Sequence, residues 1–82
     1  MITRVTKANR LKKRSVSIAG HRTSVALETE FWAALESEAR GMRIALAALI
    51  ARIDAGRAER NLASALRVHV LAHALENSAP AT

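Results

Sequence analysis

Two histidines in the last third of the chain have a spacing that proteins use for metal chemistry. His69 and His73 are four residues apart, which places both imidazoles on one face of a helix, as in a two-ligand metal site. No third ligand is evident beside them, and His21 lies far away in the sequence. We therefore interpret them as packed or interface histidines and expect no metal.

The hydroxyl and carboxylate side chains do not form a catalytic pattern. The serines have no neighbouring histidine and acid that would activate a nucleophile. The glutamates of the central segment are typical of a solvated helix face: Glu28, Glu30, Glu36 and Glu38. No phosphate loop or dinucleotide fingerprint is present either. We expect no enzyme activity and no cofactor.

The cations, in contrast, are concentrated at the N-terminal end of the chain. Residues 1–22 contain seven Lys and Arg and no acid, whereas residues 23–82 contain six cations and seven acids. A basic arm beside a nearly neutral body is typical of a protein that binds a polyanion. We expect Lys12, Lys13 and Arg14 to contact phosphates, which gives salt-sensitive affinity and little specificity.

The size of the chain limits what a single copy can do. With 82 residues it forms one domain, and a body of about sixty residues buries too little surface to be very stable alone. The chain has no cysteine, so neither a disulfide nor a thiolate metal site stabilises it, and oligomerisation is the usual remedy. No apolar run approaches the roughly 20 residues that cross a membrane, so we expect no membrane partner.

Alternating polar and apolar residues predict extended structure just after the basic arm. Val16 and Ile18 lie on one side of the first alternation. After Gly20 the alternation resumes in the opposite parity over residues 22–27, which requires a turn or a bulge. The pattern leaves open whether residues 14–20 form a second strand or an arm.

Three amphipathic segments after the strand predict helices. The first begins near Glu28 and ends at Arg40, with Gly41 as its left-handed cap. The second runs from about residue 43 to residue 55, and Asn61 is a good N-cap for the third, over residues 62–75. The third helix is apolar on two sides, which favours a second partner for it. One side consists of Leu62, Leu66 and Val70, and the other of Val68, Leu71 and Leu75.

A single strand would leave its backbone groups unpaired on both edges, and the nearest identical edge belongs to a second copy. Two copies of residues 22–27, antiparallel about a two-fold axis, would form a two-stranded ribbon that fits the major groove of DNA. Its outer face would carry Arg22, Ser24 and Ala26. We expect the following residues to form the dimer core: Val25, Leu27, Phe31, Leu35, Leu49, Ile50 and Ile53.

This order of elements resembles the ribbon–helix–helix family of bacterial DNA-binding proteins, of the Arc, MetJ and CopG type. A bacterial subgroup of that family is similar over about residues 13–71. The similar motifs are Lys13-Arg-Ser-Val, Gly20-His-Arg-Thr-Ser-Val, Glu30-Phe-Trp and Asn61-Leu-Ala-Ser-Ala-Leu-Arg. The resemblance implies a mainly α fold with one short strand and a third C-terminal helix. It also implies an intertwined homodimer with a two-stranded antiparallel ribbon.

The resemblance further implies a sequence-specific transcriptional repressor that binds double-stranded DNA in the cytoplasm, on the nucleoid. Base contacts would come from Arg22, Ser24 and Ala26, of which Ala26 can touch only a thymine methyl group. A phosphate would lie on the N-terminus of the second helix, at Arg43, Ile44 and Ala45. Family members usually have Gly and then Ser or Thr there. The loss of that cap weakens the helix start by ~1 kcal/mol.

The same difference from the family places a cation, Arg43, just before the second helix. A cation near a helix N-terminus is unfavourable by roughly 0.3–1 kcal/mol, and a bound phosphate would reverse that sign. We therefore expect Arg43 to be adapted to the DNA-bound state.

The resulting domain organisation is a flexible basic arm over residues 1–13, a ribbon–helix–helix domain with its third helix over residues 14–76, and a disordered tail over residues 77–82. The alternative function is an antitoxin or adaptor module, in which residues 62–75 bind a protein partner. The two functions are compatible, and dimers could assemble further on DNA.

Overall fold

The computed structural model describes residues 11–77, which form two strands followed by three helices. The elements are β1 (Leu11–Ile18), β2 (His21–Glu28), α1 (Thr29–Met42), α2 (Leu46–Ala55) and α3 (Leu62–Asn77). The rest of the predicted arm, residues 1–10, and the tail from residue 78 lie outside the described residues. Within residues 11–77, no helix is long and apolar enough to cross a membrane.

The two strands form an antiparallel hairpin within one chain, which decides the alternative that the sequence left open. Ile18 pairs with His21 at the turn, and Leu11 pairs with Glu28 at the open end. The expectation of one short strand is wrong, because the fold has two strands of eight residues each. β1 begins at Leu11, so residues 11–13 of the predicted arm are part of the hairpin.

The hairpin also changes the argument for a dimer. β2 does not have two unpaired edges, because β1 occupies one of them. A second copy is therefore not needed to satisfy that edge.

A two-residue turn explains the change of parity in the sequence. Ala19 and Gly20 have φ angles of 53° and 83°, and a type I′ hairpin turn requires positive φ at both central residues. Glycine adopts such angles without steric cost, whereas alanine does not. The turn lets Val16 and Ile18 share one face of the hairpin with the apolar residues of β2.

The hydrophobic core lies between this inner face of the hairpin and the three helices. The strands contribute Val16, Ile18, Val25 and Leu27, and the helices contribute Trp32, Leu35, Ala39, Leu49, Ile50 and Leu66. Most of the residues predicted for a dimer core are thus buried within one chain. Phe31 and Ile53 are half-buried and pack against this core. Trp32 of α1 is buried, whereas Phe31 beside it is only half-buried.

The end of α1 differs from the prediction that Gly41 caps it. The helix continues to Met42, and Arg43 adopts the left-handed conformation with φ 61° and ψ 41°. The N–H of Arg43 donates to the Arg40 carbonyl at 3.0 Å, and that of Ile44 donates to the Ala39 carbonyl at 3.0 Å. These two bonds satisfy the last carbonyls of α1. The sequence analysis placed the cap at Gly41 because glycine is the most common residue in the left-handed conformation at a helix end.

The start of α2 also lies later than predicted. The helix begins at Leu46, with Ala45 as an N-cap that has no side-chain hydrogen bond, so the expected loss of a cap is confirmed. Arg43 lies at the C-terminal end of α1, where a positive charge is favourable. This favourable contribution at the end of α1 opposes the unfavourable one expected near the start of α2, and the adaptation of Arg43 to a bound phosphate stays a prediction.

The third helix follows the prediction closely. The Ser64 N–H donates to Asn61 Oδ1 at 2.8 Å, which confirms the N-cap. Leu66 is buried against the core, with Leu62 and Val70 packed beside it. The other apolar side of the helix remains exposed, as expected for a helix with two apolar faces.

Gly41 and Gly20 have different backbone conformations, so replacing each by alanine should change the stability of the protein in opposite directions. Gly41→Ala should raise the free energy of unfolding by about 0.5–1 kcal/mol, because Gly41 lies inside α1 and a Cβ there meets nothing within 4 Å. Gly20→Ala should lower it by about 1 kcal/mol, because φ is +83°. Urea unfolding of both variants measures this. Equal signs would contradict the helix end described above.

Candidate nucleic-acid interface

The outer face of the hairpin is the candidate nucleic-acid interface. Arg22 and Ser24 are exposed, Ala26 is half-exposed, and Val25 and Leu27 between them are buried. The alternation predicted for β2 is therefore confirmed. The predicted base-contacting residues lie together on the face that points away from the helices.

The first strand adds three side chains to this face that the sequence analysis did not assign to it. The register pairs Ser17 with Arg22, Ser15 with Ser24, and Lys13 with Ala26. Residues directly opposite each other in an antiparallel pair point to the same side of the sheet. Lys13, Ser15 and Ser17 are all exposed. These three residues alternate with Val16 and Ile18 in the sequence. If residues 14–20 are assumed to form a strand of a hairpin, that alternation predicts that they lie on its outer face.

The only acid in the two strands, Glu28 at the open end of the hairpin, is neutralised by an ion pair. Arg67 Nε of α3 donates to Glu28 Oε1 at 2.9 Å. This hydrogen bond is the main reason that the pKa of Glu28 is lowered from its usual value of 4.5, and a backbone hydrogen bond adds to it. Glu28 is therefore a charged, paired carboxylate at neutral pH, and the cations of the ribbon remain uncompensated on its outer face.

Arg14, which we predicted as a phosphate contact, is placed on the inner side of the hairpin. It pairs with Val25, a buried residue of β2. Its guanidinium lies 4.7 Å from the centre of the Trp32 ring and 2.9 Å from a carboxylate oxygen of Glu36. These two contacts form a clamp between β1 and α1, and a phosphate contact of Arg14 stays a prediction.

Trp32 completes this clamp. Its indole Nε1 donates to the Lys12 carbonyl at 2.8 Å, and its ring is buried. The residue thus anchors β1 to α1. Lys12 pairs with Leu27 and therefore lies on the inner side of the hairpin, but its side chain is exposed because it is at the open end.

The turn before α2 has fewer free backbone N–H groups for binding a phosphate than the resemblance implies. The N–H groups of Arg43 and Ile44 already donate to carbonyls of α1, and Ile44 packs against the core. Arg43 and Ala45 are both exposed along this turn. The first turn of α2, with its uncapped start at Ala45, remains the part of this segment that a phosphate could approach.

The two histidines of α3 lie beside a glutamate of α1. Glu38 Oε1 lies 2.9 Å from His69 Nε2, within hydrogen-bond distance. The other oxygen of Glu38, Oε2, lies 3.8 Å from His73 Nδ1. The two rings are stacked, with centroids 6.2 Å apart. In the described part of the chain, no three potential ligands meet in a geometry that could hold a metal ion. The histidines are packed between helices, as the sequence analysis interpreted them.

The chain belongs to the ribbon-helix-helix domain family, whose model matches residues 11–74. The match begins at the first residue of β1 and ends inside α3. Comparisons with curated proteins and with solved structures gave no match. Domains of this family are typically DNA-binding modules without catalytic activity, and they generally bind DNA as dimers. The family suggests a DNA-binding regulator or an antitoxin-type role.

The clamp predicts that Arg14 contributes to stability. Arg14→Ala should lower the free energy of unfolding by about 1 kcal/mol, because it removes a cation–π contact and a partly exposed ion pair. Lys13→Ala is the matched control, since Lys13 lies on the opposite face of the same strand and should change stability by less than about 0.5 kcal/mol. Urea unfolding that ranks the two variants equally would contradict the clamp.

The Glu28–Arg67 pair predicts a specific pH dependence. Because the pKa of Glu28 is lowered in the folded protein, its contribution is present above the unfolded pKa and is lost as the pH falls through the folded pKa. Glu28→Gln should therefore be less stable than wild type at neutral pH, and the difference should shrink as the pH falls below 4.5. Thermal unfolding across this range measures it. Glu30→Gln, an exposed acid of the same helix end, should show no such trend.

Proposed function

We propose that this protein is a sequence-specific DNA-binding transcriptional regulator, acting as a repressor, that reads the major groove with the outer face of its β-ribbon. The observation that carries this proposal is the clustering of exposed Arg22 and Ser24 with Lys13, Ser15 and Ser17 on one face of the hairpin. Such a protein acts on bacterial DNA, in the cytoplasm and on the nucleoid.

The side chains on this face match the chemistry of base edges. The guanidinium of Arg22 can donate two hydrogen bonds to O6 and N7 of a guanine, and the hydroxyl of Ser24 can donate or accept. Ala26 adds apolar contact for a thymine methyl group. Two strands lie about 5 Å apart, and the major groove is about 12 Å wide, so a two-stranded ribbon fits it.

We propose that the active form is a homodimer in which β2 of each copy pairs with β2 of the other, antiparallel about a two-fold axis. Support comes from the family, whose members generally bind DNA as dimers. Further support comes from β2 itself, since among residues 11–77 only β1 pairs with it, along one edge. A free edge is a template for another strand.

This arrangement gives the two strands of the hairpin different tasks. The two β2 strands lie in the centre and present Arg22, Ser24 and Ala26 twice, once for each half of a palindromic operator. The two β1 strands lie about 5 Å outside them. Their Lys13, together with Ser15 and Ser17, is then placed for the phosphates beside the groove.

The alternative function is an antitoxin or adaptor module whose α3 binds a protein partner. The exposed Val68, Leu71 and Leu75 on α3 favour it. Both functions include DNA binding when an antitoxin represses its own promoter. They differ in what covers α3, which can be tested separately from DNA.

The DNA-reading proposal predicts different consequences for two cations of the same face. Selection from random DNA should give a defined sequence for wild type, and Arg22→Ala should lose the preference at one position of each half-site. A good arginine–guanine pair discriminates by ~1–3 kcal/mol. Lys13→Ala should weaken binding to all sequences alike and reduce the slope of log K against log salt by about one contact per copy.

The control for this experiment is Arg40→Ala, which removes an exposed cation from the last turn of α1. It should leave both the selected sequence and the salt slope unchanged. The proposal is wrong if Arg22→Ala selects the same sequence as wild type with the same preference.

A further inference from the structure

A groove between α2, the loop that follows it and the first half of α3 is lined by several arginines. Its volume is about 440 Å³, which lies in the range of small-molecule sites. Its basic residues include Arg52, Arg57 and Arg60, and no acid is among the described residues that line it. None of these lining residues belongs to the hairpin or to the first turn of α2. The α2–α3 groove is therefore distinct from the surface that we propose for reading DNA.

One of these arginines is held in a fixed position by the protein itself. Arg57 Nε donates to Asp54 Oδ1 at 2.6 Å, and Arg57 Nη1 donates to the Arg60 carbonyl at 2.8 Å. A guanidinium group has five N–H donors, so these two bonds leave three of them for a ligand. Because the side chain is already ordered, a ligand that binds it restricts little further side-chain freedom.

The net charge of the groove comes from the other two arginines. Arg52 and Arg60 are exposed, and they form no salt bridge within residues 11–77. Asp54 is already paired with Arg57, and Glu59 is exposed in the loop but does not line the groove. Two uncompensated guanidinium groups thus share one concave surface, which concentrates a positive potential on an anion that enters it.

The rest of the lining is mostly apolar. Ile53 of α2 is half-buried, and Ala65 and Val68 of α3 also line the groove. His69 lies on the same wall, but its Nε2 is 2.9 Å from a carboxylate oxygen of Glu38, so its imidazole is already engaged by α1. A ligand that suits this groove therefore combines an apolar part with an anionic group.

We propose that the α2–α3 groove binds a small organic phosphate. Its phosphate group is held by Arg52, Arg57 and Arg60, and its apolar part lies against Ile53 and Val68. A guanidinium group matches the geometry of a phosphate with two parallel hydrogen bonds, and bonds between ionised groups are roughly twice as strong as neutral ones. A phosphate group carries nearly two negative charges and three acceptor oxygens, which matches two uncompensated arginines.

The DNA backbone is another source of phosphate groups, and the position of the groove disfavours it. α2 has 10 residues, so its two ends lie about 14 Å apart at 1.5 Å per residue. The uncapped start of α2 is the end that a DNA phosphate could approach, whereas the groove lies at the opposite end. A phosphate bound at the start of α2 therefore does not reach Arg57 or Arg60.

Titration of the full chain with phenyl phosphate, measured by calorimetry and by amide chemical shifts, tests the proposal. Phenyl phosphate should saturate one site, with its largest shifts in residues 52–69, and it should bind more tightly than inorganic phosphate because its ring adds apolar contact. Arg52→Gln and Arg60→Gln should each weaken its binding about tenfold, since each removes charge-assisted hydrogen bonds. Arg40→Gln is the matched control, because it removes an exposed cation outside the groove.

A second measurement separates the two sources of phosphate. Arg52→Gln and Arg60→Gln should leave the slope of log K against log salt for DNA unchanged. The proposal is overturned if they reduce that slope, if phenyl phosphate does not saturate at millimolar concentration or binds no more tightly than inorganic phosphate, or if Arg40→Gln weakens its binding equally. The titration contains no DNA, so its result stands whether or not the ribbon reads DNA. Circular dichroism of each variant, all at exposed positions, checks the fold.

Discussion

The antiparallel pairing of β1 with β2 is the interaction on which the rest of the structure depends. It satisfies one edge of β2 within the chain, and it fixes a register in which Val16 and Ile18 join Val25 and Leu27 on the inner face. A shift by one residue would turn all of these side chains towards solvent. The pairing therefore determines at once which residues form the core and which form the outer face.

The helices hold this hairpin through contacts at both of its strands. In α1, Trp32 donates a hydrogen bond to the Lys12 carbonyl of β1, and Glu36 forms an ion pair with Arg14 of β1. In α3, Arg67 forms an ion pair with Glu28 at the end of β2. These partly exposed polar contacts are individually weak. They act on a sheet whose inner face is buried, so they orient the hairpin rather than provide most of its stability.

Charge is distributed so that each surface has a distinct chemistry. The outer face of the ribbon carries cations and hydroxyl groups, and its one acid is bound by Arg67. The groove between α2 and α3 carries arginines beside apolar residues. The first surface suits a polyanion with polar base edges. The two surfaces belong to different elements, so they can be occupied together.

The sequence by itself determined the elements and their faces. Period-two alternation gave the apolar and polar sides of β2, helical spacing gave the core positions Leu35, Leu49 and Ile50, and Asn61 gave the start of α3. These depend on residues close together in the chain, where periodicity and capping chemistry act.

Only the tertiary structure decided which strand pairs with β2, where Arg14 points and which residue ends α1. A hairpin and a pairing between two copies bury the same side chains of β2, so the pattern is identical for both. Arg14 turns inward because Trp32 and Glu36, which are distant in sequence, lie beneath it. The left-handed cap lies at Arg43 rather than Gly41, and Ile44, the residue after the cap, packs against the core. That contact forms only in the folded chain, so the local preference for glycine could not locate the cap.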